Sequence, residues 1–171
     1  MRIAGIIKQS VVDGDGLRYV IFVQGCPHHC KGCHNPETWD YDKGFEKPIS
    51  EILAEIIEDP LLDGVTFSGG EPFIHADELI EIGKFCKEHN LNVWCYTGYT
   101  YKELLNTEHV KNAKELLKYI DVLVDGKYVE SKKCIDNFKG SSNQNIIYLN
   151  KIFLGATSST QAQVNTQSSF V

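Results

Sequence analysis

Three cysteines, Cys26, Cys30 and Cys33, fall within eight residues of one another in the run GCPHHCKGCHNPETW from Gly25 to Trp39. Thiolates separated by gaps of three and two residues can all turn inward from one short loop, an arrangement suited to a metal ion or an iron–sulfur cluster. A structural zinc site takes four Cys or His ligands, and a four-iron cluster ordinarily takes four cysteines. The loop supplies three. Spacing alone permits three readings: zinc completed by His28, His29 or His34, a closed cluster for electron transfer, or a four-iron cluster with one iron left for a substrate or cofactor.

Three further polar motifs bear on that choice: Ser68-Gly69-Gly70-Glu71, Thr97-Gly98 and Asp125-Gly126-Lys127. A zinc site closes on itself and needs no pocket beside it. Glycines at 69 and 70 let backbone come close to a ligand. Glu71 could accept from an ammonium group, and Asp125 and Lys127 add an anion and a cation. Such a mixed set suits a zwitterionic amino acid carrying a nucleoside. Taken singly, SGG is often a turn and Asp-Gly-Lys a solvated loop; their shared position after apolar strands is what points to a site.

The elements that must position these motifs follow from periodicity. Short apolar patches through Ser10 suit an edge strand, and VDGDGLR (Val12 to Arg18) is a glycine-punctuated turn. Arg18 to Gln24 reads as the strand that delivers the cysteine loop. A helix is expected from about Ser50 to Glu58, with Ser50 as N-cap, a buried stripe of Ile49, Ile52, Leu53, Ile56 and Ile57, and a stop at Asp59-Pro60. Strand Gly64 to Phe67, helix Ala76 to His89 capped near Asn90, and strand Asn92 to Tyr96 come next. Thr100 and Glu103 match a capping box. Glu108 to Tyr119 is an amphipathic run carrying Val110, Ala113, Leu116 and Leu117, and strands at Asp121 to Val124 and Asn145 to Leu149 complete the series.

Alternating strands and helices, with strands apolar on both faces, predict an α/β fold with a mostly parallel sheet. Such sheets hold ligands at the carboxyl ends of their strands, where all four polar motifs fall. Five or six strands are too few for an eight-stranded barrel. A partial, splayed β/α barrel is expected.

The chain has 171 residues, read as one domain over 1–150 and a polar tail over 151–171 whose Ser, Thr and Gln content predicts disorder. A net charge of −6 argues against a nucleic-acid partner. No apolar run approaches the roughly 18 residues that span a bilayer, and the N-terminus is too weakly apolar for a secretory signal. A cytoplasmic, reducing setting without membrane attachment is expected, where cysteines are thiols or ligands rather than disulfides. Cys86 and Cys95 read as small buried hydrophobes. Cys134, in a polar stretch, has no assigned role.

The loop Cys26-x-x-x-Cys30-x-x-Cys33 resembles the signature of the radical S-adenosylmethionine enzymes. VDGDGLRYVIFVQGC and CHNPETW look like the versions found in activases of glycyl-radical enzymes. TFSGGEP, VWCYTGY, LVDGKYVE and FKGSSNQ are similar to blocks of the anaerobic ribonucleoside-triphosphate reductase activating proteins. The likeness spans about Asp13 to Leu149. Gly14-Asp15-Gly16 departs from that family's glycine-proline-glycine turn, and His34 stands where close relatives often have Tyr. The resemblance implies that Cys26, Cys30 and Cys33 ligate a [4Fe-4S] cluster whose fourth iron binds S-adenosylmethionine. It further implies that Gly32 and His34 lie against the cofactor, that Ser68, Gly69 and Gly70 meet its methionyl part with Glu71 at the ammonium, and that Asp125 and Lys127 lie near it. Gly25 is expected to allow close backbone approach at the cluster. The implied partners are the glycine-bearing large subunit of an anaerobic ribonucleoside-triphosphate reductase and a flavodoxin-like electron donor.

Overall fold

A computed structural model describes residues 1–106, 110–135 and 138–149. The expected tail, 151–171, lies outside the described residues, as does the start of the 108–119 run. Seven strands form one open sheet: β1 (Arg2–Ser10), β2 (Arg18–Val23), β3 (Phe45–Glu46), β4 (Gly64–Gly69), β5 (Asn92–Tyr96), β6 (Val122–Asp125) and β7 (Asn145–Tyr148), in spatial order β3-β1-β2-β4-β5-β6-β7. The pairings β2–β4, β4–β5 and β5–β6 are parallel, whereas β1–β2, β1–β3 and β6–β7 are antiparallel. Five strands therefore run one way and β1 and β7 the other. The sheet is mostly parallel, and β3 and β7 do not join to close it. β1 is not the edge strand expected: β3 pairs with it at Arg2 and Ile3 and takes the margin, which brings the sheet to seven strands rather than five or six.

Period-two alternation separates the faces of the sheet. Ile21, Phe67, Cys95 and Leu123 form one row across β2, β4, β5 and β6, each fully buried in the main core. That face packs on α1 (Ile49–Glu58), α2 (Ala76–Glu88), α3 (Tyr101–Asn106) and α4 (Ala113–Leu117), whose buried residues Ile52, Ile56, Leu79, Ile82, Cys86, Leu104 and Leu116 belong to the same cluster. The opposite face carries Val20, Thr66, Trp94 and Val122 in register, with Phe22 beside Ser68 one step nearer the strand ends.

The helix termini differ in part from expectation. The N-cap of α1 is Pro48, not Ser50, because the Pro48 carbonyl already accepts from the amides of Glu51 (3.1 Å) and Ile52 (3.3 Å). Only Ile52 and Ile56 of the expected stripe are fully buried; Ile57, a further 100° around the helix, is 54% exposed. At the end of α2, Asn90 takes a left-handed φ of 60°, the amide of Leu91 reaches the Cys86 carbonyl at 2.8 Å, and that of Asn90 reaches Lys87 at 3.3 Å. This is a Schellman cap with asparagine in place of glycine. The capping box at α3 forms as expected: Glu103 accepts from the Thr100 amide (2.7 Å), and Thr100 Oγ1 accepts from the Glu103 amide (3.2 Å).

Candidate functional site

β2 delivers Gln24, Gly25 and Cys26 at its carboxyl end, and the loop that follows is tied back to the sheet. The Gly25 amide donates to the Thr38 carbonyl (2.8 Å), the Cys26 amide to Trp39 (3.2 Å), and the Cys33 amide to Cys30 (3.0 Å). Gln24 Nε2 donates to the carbonyls of Asp40 (2.6 Å) and Glu37 (3.1 Å). These bonds make a compact loop from residues whose regular structure is a single 3-10 turn at Pro36–Thr38.

Beside it, the end of β4 crosses the backbone of β2 closely. The Gly70 amide donates to Val23 O and the Glu71 amide to Gly25 O, both at 2.8 Å. A Cβ on Gly70 would lie 2.1 Å from the Gly25 carbonyl oxygen, and one on Gly69 2.6 Å from the Phe22 Cα. The SGG glycines therefore serve first to let two backbones meet. Their remaining surface faces the cavity.

That cavity has a volume of about 490 Å³, within the range of small-molecule sites. Cys26, Cys30 and Cys33 all open onto it, together with His28, His34 and the Ser68–Gly70 ribbon. Phe22, Tyr96, Thr97, Gly98, Gly126 and Tyr128 complete much of its wall. Among the described residues, no three His, Cys, Asp or Glu side chains are grouped tightly enough to hold a single metal ion. The three thiols line one space of ligand size, which has room for a multi-atom cluster with a bound small molecule. The donor chemistry fits as well: three soft thiols suit iron–sulfur ligation. The Asn35 amide points at Cys33 Sγ (3.4 Å), the kind of N–H contact that stabilises a thiolate. Burial pushes the Cys26 and Cys30 thiols up from their ordinary values, and nearby backbone N–H groups at His28 and Tyr128 oppose it. Iron binding must therefore displace protons from these sulfurs.

The nearby histidines have other partners. His29 stacks on Trp39 with ring centroids 5.0 Å apart, and His34 lies tilted against Tyr128 at 4.8 Å. His28 Nε2 lies 2.7 Å from Glu71 Oε2. The three other cysteines are not among the residues that line the cavity: burial pushes Cys86 up to about 12 and Cys95 well above its usual value, and Cys134 Sγ faces the Lys139 carbonyl.

Not every residue expected at the cofactor reaches the cavity wall. Glu71 is fully buried and accepts from the Phe73 amide (3.0 Å), Thr97 Oγ1 (2.8 Å), the Gly98 amide (2.8 Å) and His28. Those four contacts fill a carboxylate's lone-pair sites, leaving none for an ammonium group. Asp125 is also buried, accepting from the Tyr101 amide (2.7 Å) and from Asn145 Nδ2 (2.9 Å). Lys127 is exposed, and of this loop it is Gly126 and Tyr128 that line the cavity. Gly32 sits on the outside of the loop, against the Glu130 carboxylate, and Gly25 against the ring of Tyr41. Sequence reading missed Phe22, Tyr96 and Tyr128 as wall residues. Period-two counting from Ser68 and the Cys26 end of β2 would have placed the first two on this face; no local signal marks Tyr128.

Residues 12–147 match the family model described as a 4Fe-4S single cluster domain. The pyruvate formate-lyase-activating enzyme of Clostridium pasteurianum is 41% identical over 143 residues, covering 78% of this chain and 56% of that protein. The anaerobic ribonucleoside-triphosphate reductase-activating protein of Pasteurella multocida is 36% identical over 149 residues, 81% of this chain and 91% of that one. Its counterpart from Enterobacteria phage T4 is 32% identical over 141 residues, 79% of this chain and 86% of that one. The chain thus spans about half the length of the first relative and most of the length of the other two.

Proposed function

Since the chain belongs to the 4Fe-4S single cluster domain family and, over most of their length, to the anaerobic ribonucleoside-triphosphate reductase-activating proteins, we propose that it generates the glycyl radical of such a reductase. The observation that carries the reading is three thiols from one loop opening onto a single cavity of ligand size. When bound, a [4Fe-4S] cluster and S-adenosylmethionine would supply the reductive carbon–sulfur cleavage whose 5′-deoxyadenosyl product takes hydrogen from a glycine Cα of the partner, with a flavodoxin-like protein donating the electron.

The chain's own residues hold, orient and shield. Cys26, Cys30 and Cys33 would each bind one iron, and the Asn35 amide steadies the Cys33 sulfur. Ser68, Gly69, Gly70 and His34 share the cavity with the thiols and are the side on which a nucleoside-bearing amino acid would rest. Gly32 sets the turn between the last two cysteines. Asp125 fixes the loop that brings Gly126 and Tyr128 to the wall, while Lys127 between them is exposed. Phe22, Tyr96 and Tyr128 keep water from the reacting centre. The open sheet reads as a splayed partial barrel whose unclosed side admits an extended polypeptide. Residues 1–150 are taken as one activase domain, working in a reducing cytoplasmic setting where the thiols stay free to bind iron.

The test is anaerobic incubation of the iron-loaded chain with S-adenosylmethionine, a reductant and the reductase, read by electron paramagnetic resonance. A glycine-centred doublet with one 5′-deoxyadenosine per radical is expected. Cofactor cleavage without a doublet would reject this target, and a colourless zinc protein would reject the chemistry.

A further inference from the structure

We propose that His28 locks the first half of the cysteine loop onto the sheet, with Glu71 as a positioning residue that acts through this imidazole. The seat for the ring is built from two strand ends. Glu71, in the loop after β4, presents Oε2 to His28 Nε2 at 2.7 Å, with both side chains almost wholly buried. Gly98, after β5, has no Cβ, and one built there would lie 2.2 Å from the His28 ring. Tyr99 closes the seat edge-on, 4.5 Å between ring centroids. The Gly98 amide donates to the same Oε2 of Glu71, and Thr97 Oγ1 to Oε1. Because Glu71 already accepts from two backbone amides and a hydroxyl, the imidazole Nε2 is a further donor.

His28 lies between two of the three cysteines, and the next residue, His29, takes a strained left-handed φ of 46°. A loop holding such a conformation needs an anchor near it, and the His28 side chain is the contact that ties Cys26–Cys30 to β4 and β5 together. Charge-assisted hydrogen bonds in a buried setting are strong enough for this. Glu71, expected at the ammonium group of the cofactor, instead has its acceptors consumed in aiming the thiols.

The test uses His28→Ala, His28→Gln and Gly98→Ala in the full chain. In the metal-free protein, amide exchange over residues 26–30 should rise about tenfold in His28→Ala and Gly98→Ala, the size expected for losing one buried charge-assisted bond, while exchange elsewhere holds. His28→Gln, whose amide can still donate to Glu71, should stay near the parent. In the anaerobically iron-loaded protein, His28→Ala and Gly98→Ala should shift the reduced-cluster resonance spectrum alike, and His28→Gln should restore it. Unchanged loop exchange in His28→Ala overturns the proposal, and so does a uniform rise across the whole chain. The inference rests on the cluster reading only in its spectroscopic arm: exchange as expected in a protein that takes up no iron would keep the anchor and reject the cluster.

Discussion

Arg18 Nε donates to Thr66 Oγ1 at 2.6 Å, and neither side chain exposes any surface. The same guanidinium reaches the carbonyls of Asp15 and Val65 and the side chain of Asn92 at 2.7–2.8 Å, and sits 5.6 Å from the ring centre of Trp94. Burial pulls it down to about 10, so it stays charged at neutral pH. It ties the Val12–Arg18 turn, β2, β4 and β5 at the end of the sheet opposite the cysteines. Arg18→Met should cost about 3 kcal/mol or more by leaving buried carbonyls unpaired, whereas Thr66→Val should cost about 1 kcal/mol. Denaturant midpoints check both, and equal losses would contradict the network.

Cysteine replacement should sort the six thiols into two groups. Cys26→Ala, Cys30→Ala and Cys33→Ala should each abolish the bound cluster, measured as iron per chain and visible absorbance. Cys86→Ala and Cys95→Ala should keep full iron content and lose about 1–2 kcal/mol of stability as small buried groups are removed. Iron loss in either of the last two would place a ligand on the wrong side of the sheet.

Glycines differ by what surrounds them. Gly70→Ala forces a Cβ onto the Gly25 carbonyl and should destabilise by about 3 kcal/mol or more while disrupting iron uptake. Gly5→Ala meets nothing within 4 Å and should stay within about 0.5 kcal/mol of the parent. Thermal unfolding with parallel iron analysis distinguishes them.

Asp125→Ala should cost about 1–3 kcal/mol, because the Tyr101 amide loses its acceptor at the start of α3. Lys127→Ala should leave the unfolding midpoint unchanged, since its side chain is exposed. A large effect of Lys127→Ala on folding would show a buried role that its position does not support.

At acid pH, Glu55 should contribute to the loss of stability. A hydrogen bond from Tyr19 Oη (2.5 Å) and the neighbouring Lys47 hold its carboxyl below the usual range. A carboxylate depressed in the folded state stabilises above its unfolded value, about 4.3, and that contribution is lost as pH falls through the folded value. Glu55→Gln should therefore flatten the fall in stability below about pH 4.3, seen in urea titrations across pH.

Six of the seven strands, the capping box and the Asn90 cap were legible because each is set by neighbours within a few residues; the two-residue β3 was not. The start of α1 was not, because Pro48 offers its carbonyl two residues ahead of the serine that looks like a cap. The antiparallel margins were also hidden: nothing local in Arg2–Ser10 or Asn145–Tyr148 records the direction of the strand each will pair with.

The cysteine spacing by itself determined that this protein gathers three thiols on one loop, and the strand-end motifs determined that they meet a glycine ribbon there. Folding decided which polar groups remain available. Glu71, Asp125 and Lys127 look alike on paper as charged residues at strand ends, but burial and saturated hydrogen bonds turn the two acids inward as braces while Lys127 stays in water. The physical reason is that a carboxylate's lone pairs are finite, and only the three-dimensional arrangement shows which donors reach them first.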